Sequence, residues 1–328
     1  MNLSRRRFLY LASAASAIST SHRASAQTYP VRPLRWVVGF PPGGGADIVS
    51  RIMAPWLAER LGQPVVVENK PGASSNISVQ TVVNSPPDGY TLLFVPASAA
   101  VNVSLFENLP FNLLRDIAPV SGLIDFPLVM VANPSLPAKT VGELIAYAKA
   151  NPGKISIGSF GTGSTSHVAG ELFKMMAGVN MIHVPYRGGA PMVADLIGGQ
   201  VQVAIDVLTG SLAHIRSGSL RALGMGGKNR SDVLPDVPTI GETVAGYEAN
   251  SWCGLGVPRG TPGEIIERLN LEINAGLTNP TIKARLADVA TTPILYTPAE
   301  FGAYMAAEVD KWGKVIRTSG IRPETSGG

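Results

Sequence analysis

The sequence has little cysteine, little charge and no long hydrophobic segment. Its 328 residues include one cysteine, and charged residues make up 15% of the chain. Cys253 therefore has no partner for an intrachain disulfide bond. It lies in the apolar run 251–257, which predicts a strand and a buried, unreactive thiol. The longest apolar run of the leader, 8–18, is too short to span a bilayer, and we expect the mature protein not to be embedded in a membrane.

Excess charge is also lacking once the first residues are set aside. The chain has 27 basic and 23 acidic residues, and four of the basic ones (Arg5, Arg6, Arg7 and Arg23) lie in the first 26 residues, where there is no acid. The remaining chain is therefore balanced. A neutral protein of this kind gives no reason to expect nucleic acid or an anionic membrane as a partner.

The first 26 residues have the features of an export signal. The segment Ser4–Leu9 is similar to a twin-arginine pattern, a weakly apolar run follows, and Ala24-Ser25-Ala26 suits a signal peptidase. A signal for the general export route is the alternative. Either interpretation predicts removal of residues 1–26 near Ala26 and a periplasmic mature protein.

The rest of the chain alternates short apolar runs with amphipathic segments, which predicts an α/β fold with mainly parallel sheets flanked by helices. Strands are predicted at 34–40, 65–69, 91–95 and 128–132, and helices near 76–83 and 140–150. Thr261 and Thr297 each precede proline and stand three residues before glutamate. Both patterns predict a capped helix start.

Two strand–glycine loop–helix units are the central feature of the sequence. The first is Gly39-Phe40-Pro41-Pro42-Gly43-Gly44-Gly45-Ala46-Asp47, in which Asp47 can cap the helix. The second is Ser159-Phe160-Gly161-Thr162-Gly163-Ser164-Thr165-Ser166-His167. Glycines at a helix N-terminus leave backbone N–H groups uncovered, and these attract anions. We expect the first loop to hold a carboxylate rather than a phosphate.

Other chemistries fit these residues less well. The first loop lacks the Lys-Ser/Thr pair of a nucleotide phosphate loop, and Ser166 stands where a dinucleotide fingerprint needs its third glycine. No Gly-x-Ser-x-Gly motif is present, so a serine hydrolase would need Ser164 and His167, with Asp206 available. His167 and Glu171 alone have metal-ligand spacing. We expect no enzyme activity, no cofactor and no metal, with the hydrolase as the alternative.

The ordered motifs of the chain resemble a known family. They include Phe40-Pro41-Pro42-Gly43-Gly44, Glu68-Asn69-Lys70-Pro71-Gly72, Pro87-Asp88-Gly89-Tyr90-Thr91, His183-Val184-Pro185-Tyr186-Arg187-Gly188 and Leu234-Pro235-Asp236-Val237-Pro238. Together they resemble the Bug family, the extracytoplasmic solute receptors of tripartite tricarboxylate transporters. The resemblance covers essentially the whole mature chain.

The resemblance implies a two-domain periplasmic-binding-protein type II fold that closes on its ligand. Domain 1 would comprise residues 27–125 and 251–328, and domain 2 residues 126–250. The implied ligand-binding positions in the first domain are Phe40, Gly44, Gly45, Ala46, Asp47, Asn76, Ala97 and Ser98. Those in the second are Ser159, Gly161, Thr162, Ser164, His167, Tyr186, Gly188, Gly189 and Asp206.

Two departures from the family pattern lie near the implied cleft. Ser74-Ser75 stands where the family usually has Gly-Gly, and Val207-Leu208 follows Asp206 where a polar residue is common. Asp47 and Asp206 repel a carboxylate if they face it. Either both only cap helices, or they meet an ammonium or hydroxyl group and favour an amino acid over a plain dicarboxylate.

The sequence thus predicts a receptor, expected to be monomeric, for a small carboxylated solute: a di- or tricarboxylate, an aromatic acid or an amino acid. It would deliver this solute to the membrane subunits of a tripartite tricarboxylate transporter. The alternatives are the hydrolase and a receptor that presents its ligand state to a sensor.

Overall fold

Two β-sheets form the framework of this protein. The computed structural model describes residues 29–106, 108–319 and 321–322, so the predicted export signal lies outside the described residues. Residues from Arg32 onward form one compact unit, which contains both sheets. Its strands are β1 (Leu34–Val38), β2 (Val65–Asn69), β3 (Thr91–Pro96), β4 (Ile117–Phe126), β5 (Leu128–Ala132), β6 (Ser156–Ser159), β7 (Ile182–Pro185), β8 (Val203–Val207), β9 (Arg221–Met225), β10 (Ser251–Pro258) and β11 (Thr292–Pro293).

Helices connect these strands and cover the sheets. They are α1 (Gly45–Leu61), α2 (Asn76–Val83), α3 (Ala97–Leu105), α4 (Leu113–Asp116), α5 (Val141–Ala150), α6 (Thr165–Ala177), α7 (Gly189–Ile197), α8 (Leu208–Arg216), α9 (Gly263–Thr278), α10 (Pro280–Asp288) and α11 (Pro298–Ser319). No helix in the described part of the chain is both long and apolar enough to cross a membrane.

The first sheet has the strand order β11-β4-β10-β3-β1-β2. Strand β1 pairs in parallel with β2 and β3, whereas β10 is antiparallel to both β3 and β4. All residues of β3 and β10 are buried, as expected for apolar central strands covered on both faces. We call this sheet and the helices packed on it the first lobe.

The second sheet has the order β7-β6-β8-β5-β9 and forms the second lobe with its helices. Strand β6 is parallel to β7 and β8, and β5 is antiparallel to β8 and β9. Only Pro127 separates β4 of the first sheet from β5 of the second, and the chain returns between β9 and β10. The α/β fold class is confirmed, with antiparallel strands added where the chain passes between the sheets. The division at residues 125 and 250 stays a prediction.

The two lobes share part of their packing. Leu105 of α3 and Trp312 and Ile316 of α11 belong to the same hydrophobic cluster as the buried face of the second sheet. Trp36, Phe94 and Trp252 are among the largest fully buried side chains of the first sheet. The C-terminal helix therefore stabilises both lobes.

Of the two predicted threonine caps, one is confirmed and one is wrong. Thr297 caps α11 as predicted, because its hydroxyl accepts the Glu300 N–H at 3.2 Å while Glu300 accepts the Thr297 N–H at 2.8 Å. Thr261 does not cap α9. Its hydroxyl instead donates to the Pro258 carbonyl at 2.8 Å, and the helix begins at Gly263 without a side-chain cap.

Candidate functional site

A cavity of about 320 Å³ lies among the loops of both sheets. This is within the usual size of a small-molecule site. Several of the predicted residues lie on its wall: Phe40, Gly44, Gly45, Ala46, Ala97, Ser98, Gly189 and Asp206. The remaining predicted residues are not on the wall, and their contacts explain why.

The first glycine loop lies directly at the cavity. It leaves β1 after Val38 and enters α1, whose N-cap residue is Gly44. No side chain caps this helix, and its first intrahelical bond runs from the Ile48 N–H to the Gly44 carbonyl. The N–H groups of Gly45 and Ala46 precede that bond at the positive end of the helix dipole. The local structure therefore suits an anion, as the sequence predicts.

Asp47 does not cap α1 as predicted, and it lies beneath this loop rather than on the cavity wall. Its carboxylate accepts the Gly43 N–H at 3.0 Å, the Arg51 guanidinium at 2.9 Å and the Asn69 amide at 3.0 Å. Burial by itself raises the pKa of Asp47, but the hydrogen bonds from Arg51, Gly43 and Asn69 outweigh it and lower the pKa. Asp47 is thus an ionised group that holds the loop, and both of its oxygens have protein partners.

The second loop uses its polar groups to hold itself together. Ser164 is the N-cap of α6 and accepts the His167 N–H at 3.1 Å, while His167 Nδ1 accepts the Gly163 N–H at 3.2 Å. Ser159 contacts His183 at 2.7 Å and accepts the Gly161 N–H at 3.2 Å. The predicted residues Ser159, Gly161, Thr162, Ser164 and His167 are therefore not on the cavity wall, which includes Phe160 and Thr165 of this region instead.

The serine hydrolase alternative depends on Ser164 and His167, and the geometry does not support it. Ser164 Oγ contacts the backbone of His167 rather than its ring, and the side chain is fully buried. Burial, with the neighbouring His183 and Lys174, lowers the pKa of His167 to about 3. A general base needs a pKa near the working pH and contact with the nucleophile.

The last three predicted residues outside the wall stabilise neighbouring segments. Asn76 accepts the Asn102 amide at 2.8 Å, and the Tyr186 hydroxyl donates to Asp195 at 2.9 Å. Gly188 has φ +132°, and a Cβ there would lie 2.6 Å from Pro41 Cδ. Only glycine permits this close approach of the loop before α7 to the first glycine loop.

Asp206 is the acidic residue of the wall. It ends the buried part of β8 and is fully buried. Ser211 donates to its Oδ2 at 2.6 Å, but its Oδ1 has no hydrogen-bond partner among the residues that the structure describes. Burial raises the pKa of Asp206 to about 6, although the Ser211 hydroxyl and the nearby Val207 N–H partly oppose this. One oxygen of this buried carboxylate therefore lacks a described partner, in a residue that lines the cavity.

Much of the wall is apolar, and sequence reasoning missed this part. Aromatic rings line it from strand ends and a loop: Phe94, Phe126, Phe160 and Trp252. Val193 and Ile197 of α7 add aliphatic surface, and His214 of α8 also lies on the wall. Phe126 ends β4, Trp252 is the second residue of β10, and Phe94 lies within β3, which pairs with β10. The positions of these rings in strands were the sequence feature that could have indicated an aromatic wall.

Close contacts connect the two lobes beside the cavity. Ser74 donates a short hydrogen bond to the Thr162 carbonyl, and a Cβ at Gly45 would lie 3.1 Å from Val207 Cγ2. Ser74 and Ser75 have φ +49° and +73°. Left-handed backbone costs about 1 kcal/mol or more per non-glycine residue. The hydroxyls offset this cost in part, since Ser75 Oγ also contacts Ser98 Oγ at 2.9 Å.

One group of side chains has the composition of a metal site. Ligand atoms of His167, Glu171 and His183 lie within 4.8 Å of one another. The two imidazole rings, however, stack with centroids 4.2 Å apart and planes 27° apart, whereas shared coordination needs one ion near both ring planes. Lys174 also pairs with Glu171 at 2.6 Å. The absence of a bound metal stays a prediction.

Comparison with known proteins now decides the family. Residues 49–321 match the TctC family, described as the tripartite tricarboxylate transporter family receptor. The chain belongs to the TctC family of transporter receptors. It is 40% identical over 301 residues to Protein BugT of Bordetella pertussis, covering 91% of this chain and 92% of that protein. The predicted resemblance to the Bug family is thereby confirmed.

Solved structures agree with this assignment. R. palustris Rpa4515, solved with adipate, is 36% identical with a TM-score of 0.88 and covers 90% of this chain and 99% of its own. MatC from Rhodopseudomonas palustris, solved with bound malate, is 29% identical with a TM-score of 0.84, covering 88% of this chain and 100% of its own. The protein is a solute-binding receptor of the two-domain type, not an enzyme.

Proposed function

We propose that this TctC receptor captures a small carboxylated solute in the cavity between its lobes and delivers it to the membrane subunits of a tripartite tricarboxylate transporter. The observation that carries the proposal is the first glycine loop. Gly44, Gly45 and Ala46 line the cavity at an uncapped helix N-terminus. Backbone donors at such a position bind a carboxylate without any arginine.

The polar hydroxyls on the wall support the same ligand chemistry. Ser98, Thr165 and Ser251 face the cavity from both lobes, and Thr165 Oγ1 donates to Ser251 Oγ at 3.1 Å. The relatives solved with adipate and malate hold dicarboxylates. A ligand that contacts both lobes stabilises the form in which Ser74 and Thr162 meet.

The predicted export signal supports a periplasmic site of action, with cleavage near Ala26. We propose that residues 1–26 direct export and that the mature receptor acts as a monomer. Mass spectrometry of periplasmic protein tests the cleavage site, and a mature chain that still begins at Met1 would contradict it. Export that fails when Arg5 and Arg6 are replaced by lysine would distinguish the twin-arginine route from the general one.

Uptake distinguishes transport from sensing. Deletion of the gene should abolish uptake of the bound solute, and a chain with an intact fold but a blocked first loop should not restore it. Normal uptake together with a lost transcriptional response would favour the sensor function.

A further inference from the structure

Asp206 is one of the residues that line the cavity, and its Oδ1 is a buried acceptor without a partner among the described residues. A buried carboxylate oxygen that makes no hydrogen bond costs free energy, so a native site normally completes it with a ligand or water. Gly189 and Gly210 lie against this carboxylate. A Cβ at Gly189 would lie 3.3 Å from Oδ1, and a Cβ at Gly210 would lie 2.9 Å from Oδ2. Side chains at these two positions would press against the carboxylate, so the glycines keep room beside it.

The described wall supplies no cation to pair with this acid. It contains neither lysine nor arginine, and His214 is its one other titratable side chain besides Asp206. A second carboxylate of a ligand placed here would repel Asp206. An ammonium group would instead supply both the missing charge and the missing hydrogen-bond donor.

The position of Asp206 also limits where that ammonium lies in the ligand. Val207, the next residue, packs against the first glycine loop, where a Cβ at Gly45 would lie 3.1 Å from Val207 Cγ2. The end of β8 that carries Asp206 therefore lies close to the first glycine loop. An ammonium on the carbon next to the ligand's carboxylate would suit this arrangement. The apolar rest of such a ligand would pack against the aromatic and aliphatic side chains of the wall.

We propose that the ligand is an α-amino acid with an apolar side chain, whose ammonium group donates to Asp206 Oδ1 while its carboxylate binds the first glycine loop. The proposal rests on the proposed function and narrows its ligand class. It departs from the dicarboxylates held by the two solved relatives.

A matched ligand series tests this by calorimetric titration of the purified protein. Phenylalanine, 3-phenyllactate and 3-phenylpropionate carry an ammonium, a hydroxyl and hydrogen at the same carbon. Leucine, 2-hydroxy-4-methylpentanoate and 4-methylpentanoate repeat the comparison on an aliphatic body, and adipate and malate represent dicarboxylates. In at least one series we expect the amino acid to bind about tenfold to a hundredfold more tightly than the plain acid, with the hydroxy acid between them.

The Asp206→Asn variant makes the test specific to this residue. Asparagine keeps the size of the side chain and an oxygen for Ser211, so we expect a folded protein with affinity for the amino acid reduced about tenfold or more and affinity for the plain acid little changed. Asp236→Asn, on the exposed surface, is the matched control and should bind like the wild type.

The outcomes separate this inference from the receptor function. Binding of adipate, malate or the plain acids as tightly as the amino acids overturns the inference and leaves the receptor function standing. Equal loss of every ligand in Asp206→Asn, or no loss, also overturns it. Failure of every carboxylate to bind overturns both.

Discussion

The burial of Asp206 leads to a prediction about the free energy of unfolding that does not depend on any ligand. Its pKa rises from 3.8 to about 6 because the fully buried carboxylate is desolvated. A shift of about 2 units corresponds to about 3 kcal/mol. The folded state holds the proton more tightly than the unfolded state. This contribution to stability is therefore present below pH 3.8 and is lost as the pH rises through about 6.

Replacing Asp206 by asparagine removes this titration. From about pH 4.5 to about pH 8, the wild type should lose about 2 kcal/mol of unfolding free energy relative to Asp206→Asn. Other groups, including Asp125, whose pKa burial and Glu308 raise to about 6, titrate in both proteins and cancel. Any constant effect of the amide on the Ser211 hydrogen bond also cancels.

The assay is urea unfolding of ligand-free protein followed by circular dichroism, with both proteins measured at several pH values. The difference between their unfolding free energies is the quantity of interest, because each protein alone reports all of its titrating groups. A difference that stays constant across this pH range would refute the conclusion that Asp206 is an uncompensated buried acid.

Three further substitutions test the loops around the cavity. Gly44→Val should abolish carboxylate binding without unfolding the protein, since a Cβ at Gly44 meets only the Pro41 carbonyl oxygen at 3.7 Å. Affinity that calorimetry finds retained in this variant would show that the loop is not part of the site. Gly263→Val, which has open space around it, is the control. Ser74→Ala removes the hydroxyl that donates to Thr162, so stopped-flow measurements should show ligand dissociation about fivefold faster, and an unchanged rate would argue against this contact as a stabiliser of the closed form. Asp47→Asn should lower the unfolding free energy by about 1–3 kcal/mol in urea, because Arg51 and the Gly43 N–H lose their charged partner, whereas unchanged stability would show that the loop does not need this charge.

The first glycine loop was predictable because its structure depends on residues that are close together in the sequence. The order Val37-Val38-Gly39-Phe40-Pro41-Pro42-Gly43-Gly44 indicates a buried strand, an abrupt turn and a helix start, and the structure has β1, the turn and α1 at those positions. The helices predicted near residues 76–83 and 140–150 are found as α2 and α5 for similar local reasons. Thr140, for example, caps α5 by accepting the Glu143 N–H at 3.1 Å.

The role of the second glycine loop was not predictable, because polar residues in such a loop can either contact a ligand or hold the loop itself together. Ser159, Ser164 and His167 have the composition of a binding loop, and their hydrogen bonds hold the loop itself. Which hydroxyl faces a ligand depends on helix register and on contacts from distant strands. Thr165, one residue beyond Ser164, faces the cavity instead.

The apolar wall could not be predicted from the sequence for a different reason. Phe94 and Trp252 belong to β3 and β10, which are adjacent in the first sheet although more than a hundred residues separate them in sequence. Their buried rings look the same in sequence as core residues. The pairing of β3 with β10 brings both rings to the cavity wall.

The binding of a carboxylate by the first glycine loop is tested by comparing acids with their methyl esters in calorimetric titrations of the purified receptor. An ester keeps the shape of the acid and removes the negative charge that the N–H groups of the first glycine loop would bind. We predict that at least one amino acid, aromatic acid or dicarboxylate binds with a dissociation constant of about a micromolar or less and that its ester binds at least about tenfold more weakly. Equal affinity for the ester, or binding by neutral solutes alone, would contradict a carboxylate receptor.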